Sequence, residues 1–397
     1  MTNMENEIEP GASDPFGGSR GIVTATTRRR FLSLAGLAVG GAAFGVTVSG
    51  CGTAQTGNDA GGEAQGRAGA SGETFFISGF QWGPPVSFNR MTPTPSWPTA
   101  DGQSQLIYET LLRFNVLDGS LAPGLGKELD ESDPANLKVP LQEGTKWSDG
   151  SDLTAEDVVF TFELAKTNEG LYYSNVWQYL DSVTAPDPRT VAFKLKTATL
   201  NPGQVKDAMA NVLIMPKAIW SKVPSAKLVA ETNLKPVGSG PYLMDKSDQT
   251  QIALKRNDNY WGKDVYGTPA PKAIIHPIFK DNQAADLKLQ SLEIDGAQTF
   301  TAQIWKMAEA GKPVRTWMNK KPYHLPGNLP MLIFNLKKPG LDNAKVRRAI
   351  AYAIDTPNIA TTAMSDYSEP AKASLIVPTG YESKFFDQAA VDADGWT

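Results

Sequence analysis

Apolar positions along the chain fall into short runs with two periods, and they predict a mixed α/β protein. Thr74–Ser78 (TFFIS) is a continuous β-branched and aromatic run, the pattern of a buried strand. The prolines and glycine of Gln81–Pro85 and the Pro93, Pro95, Pro98 series around Trp97 then predict irregular chain. Ser104–Arg113 clusters Leu106, Ile107, Leu111 and Leu112 at helical spacing and predicts a helix. Lys138–Leu141 reads as a strand, and Asp149-Gly150 as a turn. Thr154 with Glu156 and Asp157 marks a helix start ahead of Val158, Val159, Phe162 and Leu164. Val183–Leu195, Ile252–Arg256, Ile274–Phe279 and Ile294–Ala297 predict strands, and so does Met331–Leu336. Asp281–Leu292, Thr301–Ala310 and Asn343–Ile354 predict helices, with Val314–Met318 extended. The alternation implies a mixed sheet covered by helices.

A different pattern precedes the folded part. Arg28, Arg29 and Arg30 open a glycine-interrupted apolar stretch, Leu32–Val48, that stops at Val48-Ser49-Gly50-Cys51. At 17 residues it is short for a membrane span, which needs about 20 predominantly apolar residues. Charge, length and small residues before a cysteine make it an export signal. Thr27–Leu32 resembles a twin-arginine pattern and Val48–Cys51 a lipobox, so Cys51 is expected to carry a lipid anchor outside the cell. Gly52–Gly72, built of small and polar residues, reads as a flexible linker.

Composition narrows the chemistry. The net charge of −4 on a mixed surface argues against nucleic acid as partner. With one cysteine the chain can form no internal disulfide or cysteine-based metal site, and His276 and His324 are too few for a multi-histidine zinc site. No cofactor or metal is expected. Val237–Tyr242 (VGSGPY) lacks the following lysine and helix of a phosphate loop.

Five segments taken together resemble the family 5 solute-binding proteins of ABC importers, which take up peptides, nickel complexes or oligosaccharides. They are Trp147–Gly150 with Leu153–Phe162 (LTAEDVVFTF), Val237–Tyr242, Arg256–Gly262 (RNDNYWG), Leu292–Gly296 (LEIDG) and Val346–Asp355 (VRRAIAYAID). Gln81–Pro85 followed by Phe88-Asn89 is most similar to the oligosaccharide-binding, cellobiose-type members. The resemblance implies an α/β, two-lobed periplasmic-binding-protein fold (type II, cluster C) with an inserted subdomain in the first lobe. On this chain the expected organisation is a leader over 1–51, a linker over 52–72, lobe I over 73–330 with the insertion over about 88–223, and the beginning of lobe II over 331–397. Family members continue further, so the second lobe is expected to be truncated.

The function so implied is a lipid-anchored, monomeric, non-enzymatic binding component that captures an oligosaccharide and delivers it to a permease. An oligopeptide binder is the alternative within the class; a signalling receptor without transport and a secreted glycosidase are the alternatives outside it. Aromatic faces and planar polar side chains suit a sugar, which selects Gln81, Trp82, Asn89, Trp97, Trp177, Trp305 and Asn335 as candidate ligand contacts. Trp147, Trp220, Trp261 and Trp317 read as framework, and His276 and His324 as surface or packed residues. Asp149 and Asp295 both precede glycine and read as turn residues rather than a catalytic pair.

Overall fold

In the computed structural model the described residues are 73–393, apart from 80, 101–103, 299, 319–322, 324–330, 366, 368–375 and 377–379. The leader, Cys51, the linker and His324 lie outside them. Among the described residues ten strands form three sheets. The largest combines β1 (Thr74–Ser78), β7 (Tyr242–Ser247), β8 (Gln251–Arg256), β9 (Ala273–Pro277) and β10 (Gly296–Ala297) in the order β10-β1-β9-β8-β7. β1 runs parallel to both β10 and β9, while β8 is antiparallel to its neighbours. β1 and β9 are thus adjacent strands separated by some 190 residues of chain, and most of that chain folds between them.

The intervening segment holds a hairpin, β2 (Leu112–Phe114) with β3 (Leu121–Pro123), and an antiparallel sheet of β4 (Asn136–Pro140), β6 (Thr190–Leu195) and β5 (Leu180–Asp187). Helix α1 (Ala155–Thr167) covers that sheet, burying Val158, Thr161, Phe162 and Ala165. Its start is fixed as the sequence implies: the Thr154 N–H donates to the Asp157 carboxylate at 2.9 Å. The other Asp157 oxygen accepts from the Lys217 N–H at 2.9 Å, tying the next helical turn to this one. Phe162 meets Phe193 edge-on at 5.2 Å, and complete burial of each such ring contributes roughly 1.5–3 kcal/mol. α2 (Pro202–Asn211) has Pro at its first position and Asn201 accepting from the Gln204 N–H. One apolar core runs from Phe88 and Trp97 through α1 and β6 to Ile252 and Ile274.

Three expectations are corrected. Ser104–Arg113 is not a helix but irregular chain leading into β2. Its carbonyls are taken by distant donors instead of by residues four ahead: Gly240 N on Ile107 O, Tyr242 N on Leu106 O, Ile214 N on Glu109 O and Gly126 N on Leu111 O. Met331–Leu336 is not a strand; Met331, Leu332 and Ile333 are exposed, and no strand pairs with them among the described residues. Thr301–Ala310 is helical only over Trp305–Glu309. Strands β1, β8, β9 and β10 and the helices Asn282–Gln290 and Ala344–Ala353 form at the segments expected to hold them.

Candidate functional site

Parallel strands present their carboxyl ends on one edge of a sheet, where open α/β sheets place ligands. Here β10, β1 and β9 end in register, with Ser78 opposite Ala297 and Phe76 opposite Ile275. The residues just beyond those ends form one connected cluster. The Gly79 N–H donates to His276 Nε2 at 2.6 Å, so the ring proton sits on Nδ1 and is donated to the Pro277 carbonyl at 2.6 Å. His276 is fully buried, and burial pushes its imidazole below the usual range and keeps it neutral. Trp97 tilts against it, ring centroids 4.9 Å apart. The Trp97 indole N–H donates to Gln298 Oε1 at 3.2 Å, and the Trp97 backbone N–H to Gln81 Oε1 at 3.0 Å.

Gly79 is required at the centre of this cluster. A Cβ there would meet Trp97 Cδ1 at 2.9 Å, Gln298 Oε1 at 3.0 Å and His276 Nε2 at 3.2 Å. Trp97 is buried, with its edge occupied, whereas neighbouring Trp82 stands 42% exposed. The arrangement is a fixed polar and aromatic wall, Gln81–Trp97–Gln298, with one free indole beside it in sequence.

The remaining candidates lie apart from this cluster. Asn89 is buried and its side chain is fully engaged with backbone: the amide donates to Leu228 O and Glu231 O, and Oδ1 accepts from Met91 N. Trp177 is half-buried beside α1, donating to Phe162 O at 2.9 Å under the Lys166 ammonium. Trp305 stacks on Tyr323 (5.5 Å, 17°) and meets Tyr367 edge-on. Asn335 is exposed, its Oδ1 accepting from the Lys337 N–H in a turn. Trp147 and Trp220 are buried as framework residues, but Trp317 is 75% exposed and lies in no strand among the described residues. Asp149 accepts from Ser151, and Asp295 from the Phe76 N–H. The Asp149 carboxylate closes a local turn, and that of Asp295 reaches the backbone of β1 from 219 positions away.

Sequence reading missed Gln298 and the pairing of His276 with Gly79. The available signal was position: Gln298 directly follows one segment expected to be a strand, Ile294–Ala297, and His276 lies within another, Ile274–Phe279. An open depression of about 570 Å³ lies elsewhere, along the opposite sheet edge at β7, lined by Ser148, Leu234, Lys235, Met244 and Lys246. It contains none of the candidate residues. Among the described residues, no group of three or more His, Cys, Asp or Glu side chains is placed to hold a metal ion.

The recurrent motifs converge on a buried carboxylate instead. Tyr260 donates to Glu109 at 2.7 Å and the Trp261 indole at 3.0 Å, with Arg113 at 3.1 Å. Ser148 N–H donates to Gly238 O at 2.8 Å, so the Trp147–Gly150, Val237–Tyr242 and Arg256–Gly262 segments meet at one junction. Residues 120–394 match the model of the bacterial extracellular solute-binding proteins, family 5 (middle). The chain belongs to that family.

Its relatives include the dipeptide-binding protein of Escherichia coli K12, 28% identical over 77% of this chain and 59% of the relative. The oligopeptide-binding protein AppA of Bacillus subtilis is 30% identical over 73% of this chain and 51% of its own length. Among solved structures, the mannohexaose-bound periplasmic oligopeptide-binding protein of Thermotoga maritima superposes with a TM-score of 0.73 at 31% identity, over 81% of this chain and 59% of that one. The mixed α/β architecture is therefore that of family 5 solute-binding proteins. The chain spans about half the length of the curated relatives it matches.

Proposed function

We propose that this chain is the substrate-binding component of an ABC importer and that its ligand is an oligosaccharide held against the wall at the carboxyl ends of β10, β1 and β9. The observation that carries the reading is Trp82: a large indole left 42% exposed beside residues whose hydrogen bonds fix Gln81 and Trp97. An exposed aromatic face next to planar amides suits a sugar ring, whose apolar face stacks while its hydroxyls bond the amides. A sugar-bound relative of the same fold supports it. In this reading lobe I comprises residues 73–330 with its insertion over about 88–223, and lobe II begins at 331.

The second reading, an oligopeptide ligand, is favoured by the dipeptide- and oligopeptide-binding relatives. A thermal-shift screen of the full chain against cello-oligosaccharides, mannohexaose and short peptides separates the two. Stabilisation by sugars supports the first reading, and stabilisation by peptides alone abandons it. We also propose that Cys51 carries a lipid anchor, which would raise the local concentration of the protein near its permease. Cys51→Ala should then release a folded protein from the membrane fraction. Retention of that variant with the membrane would remove the anchor assignment.

A further inference from the structure

We propose that Arg90 and Tyr172 form a carboxylate-binding subsite, taking the charged end of a peptide or an acidic sugar; its place in ligand capture rests on the solute-binding reading above. Arg90 belongs to the same irregular segment as Gln81, Trp82 and Trp97. Its guanidinium carbon lies 3.9 Å from the centroid of the Tyr172 ring. Stacking of this kind occupies the faces of the guanidinium and leaves its N–H groups pointing outward in the plane. Those in-plane groups are the fork that a carboxylate meets with paired hydrogen bonds.

Among the described residues the fork has the Tyr172 hydroxyl beside it but no carboxylate to pair with. Arg113 and Arg256 sit on Glu109 and Asp258, but no ion pair reaches Arg90 among the described residues. Its Nε is buried and has no hydrogen-bond partner. A buried donor left unsatisfied is costly, and a carboxylate arriving at the guanidinium would lower that cost.

Both partners are also held in place before any ligand arrives. The Tyr172 hydroxyl donates to Asn211 O at 3.3 Å, and its ring meets Tyr173 edge-on at 4.8 Å. Tyr173 is anchored in turn to Thr161 O on α1 at 2.8 Å. On the other side, Asn89 is clamped to Leu228 O and Glu231 O, and Thr92 Oγ1 donates to Asn89 O, which fixes the backbone around Arg90. Tyr172 remains 40% exposed, so a ligand can reach the pair. A preformed cation on an aromatic platform loses little entropy on binding, which is how specific sites are built.

The test is an NMR titration of the full chain, following the Arg90 Nε–H resonance assigned by its loss in Arg90→Gln. The probes are sodium acetate, glucuronate against glucose, and tri-alanine against tri-alanine amide, all at matched ionic strength. Saturable shifts with acetate and with glucuronate or tri-alanine, absent with glucose and the amide, support the subsite. The glucuronate and tri-alanine arms tell an acidic sugar from a peptide end. Tyr172→Leu, which keeps the charge and removes the platform, should weaken the preferred carboxylate by about tenfold. Absence of a saturable shift with any carboxylate, or an equal shift with sodium chloride, overturns the proposal. Because acetate is neither peptide nor sugar, that result stands or falls separately from the thermal-shift screen.

Discussion

Tyr260 donates its hydroxyl to the carboxylate of Glu109 at 2.7 Å across 151 positions of sequence, deep in the core. Burial is the largest influence on Glu109 and pushes its carboxyl above the usual range, with Tyr260, Arg113 and Trp261 pulling it back. The folded state therefore holds a proton more tightly than the unfolded chain does. Stability from this group is fully present below pH 4.5, the unperturbed value, and is lost as pH rises through the folded value. Glu109→Gln should flatten that part of the pH profile of urea unfolding. Glu109→Ala, which orphans Tyr260, Trp261 and Arg113 together, should cost about 3 kcal/mol. A wild-type slope preserved in the Gln variant would place the titration elsewhere.

The junction around Glu109 also makes a steric prediction. A Cβ on Gly238 would stand 1.9 Å from Ile107 O, and one on Gly240 2.5 Å from Leu106 O. Both neighbours are backbone atoms and cannot swing aside. Gly238→Ala should destabilise by more than about 2 kcal/mol, whereas Gly170→Ala, with nothing within 4 Å, should change little. Denaturant midpoints for the two variants compare them directly, and equal midpoints would show that the junction is looser than its contacts imply.

That junction explains what the sequence could and could not convey. The apolar period of Val158, Phe162 and Ala165 and the Thr154–Asp157 start signal act within one helix, so α1 is legible locally. Leu106, Ile107 and Leu111 have the same helical spacing, but the donors of Gly240, Tyr242 and Gly126 claim their carbonyls from far along the chain. Tertiary pairing there outweighs local period. At the candidate site, Trp82 and Gln81 were visible because a tryptophan in proline-rich chain has little local reason to be core. The partnership of Gln298 and His276 with Trp97 depends on which strands are neighbours, and strand order is not written in any one segment. Asn89 shows the converse: it looked available as a polar loop residue, and its amide is spent on Leu228 and Glu231.

His276 supplies a pH dependence of opposite sign to that of Glu109. Its folded value lies below 6.5, so the unfolded chain takes up the proton first on acidification. Stability contributed by the neutral ring is present above pH 6.5 and is lost as pH falls through the folded value. Protonation would place an N–H on Nε2, facing the Gly79 N–H it now accepts. The melting temperature of the wild type should therefore drop more steeply on acidification than that of His276→Gln, and Trp97 fluorescence should change over the same range. Parallel profiles would mean that the ring takes up its proton over the same pH range folded and unfolded, and so contributes nothing to the slope.

The last prediction separates ligand contact from framework among the tryptophans. Trp82 is 42% exposed, Trp97 is buried and bonded through both of its N–H groups, and Trp147 is buried within the motif junction. Removing an exposed ring forfeits little folding energy but all of its stacking with a ligand. Trp82→Ala should leave the ligand-free melting temperature within about 2 °C of wild type. It should also weaken by about tenfold whichever of mannohexaose or a short peptide stabilises the unmodified chain. Trp97→Ala should lower both stability and affinity, since it cuts Gln81 and Gln298 loose. Trp147→Ala should lower stability by about 3 kcal/mol and spare the affinity of the fraction that folds. Calorimetric titration beside thermal melts distinguishes the three patterns. If Trp82→Ala binds as tightly as wild type, the wall at the carboxyl ends of β10, β1 and β9 is not where the ligand sits.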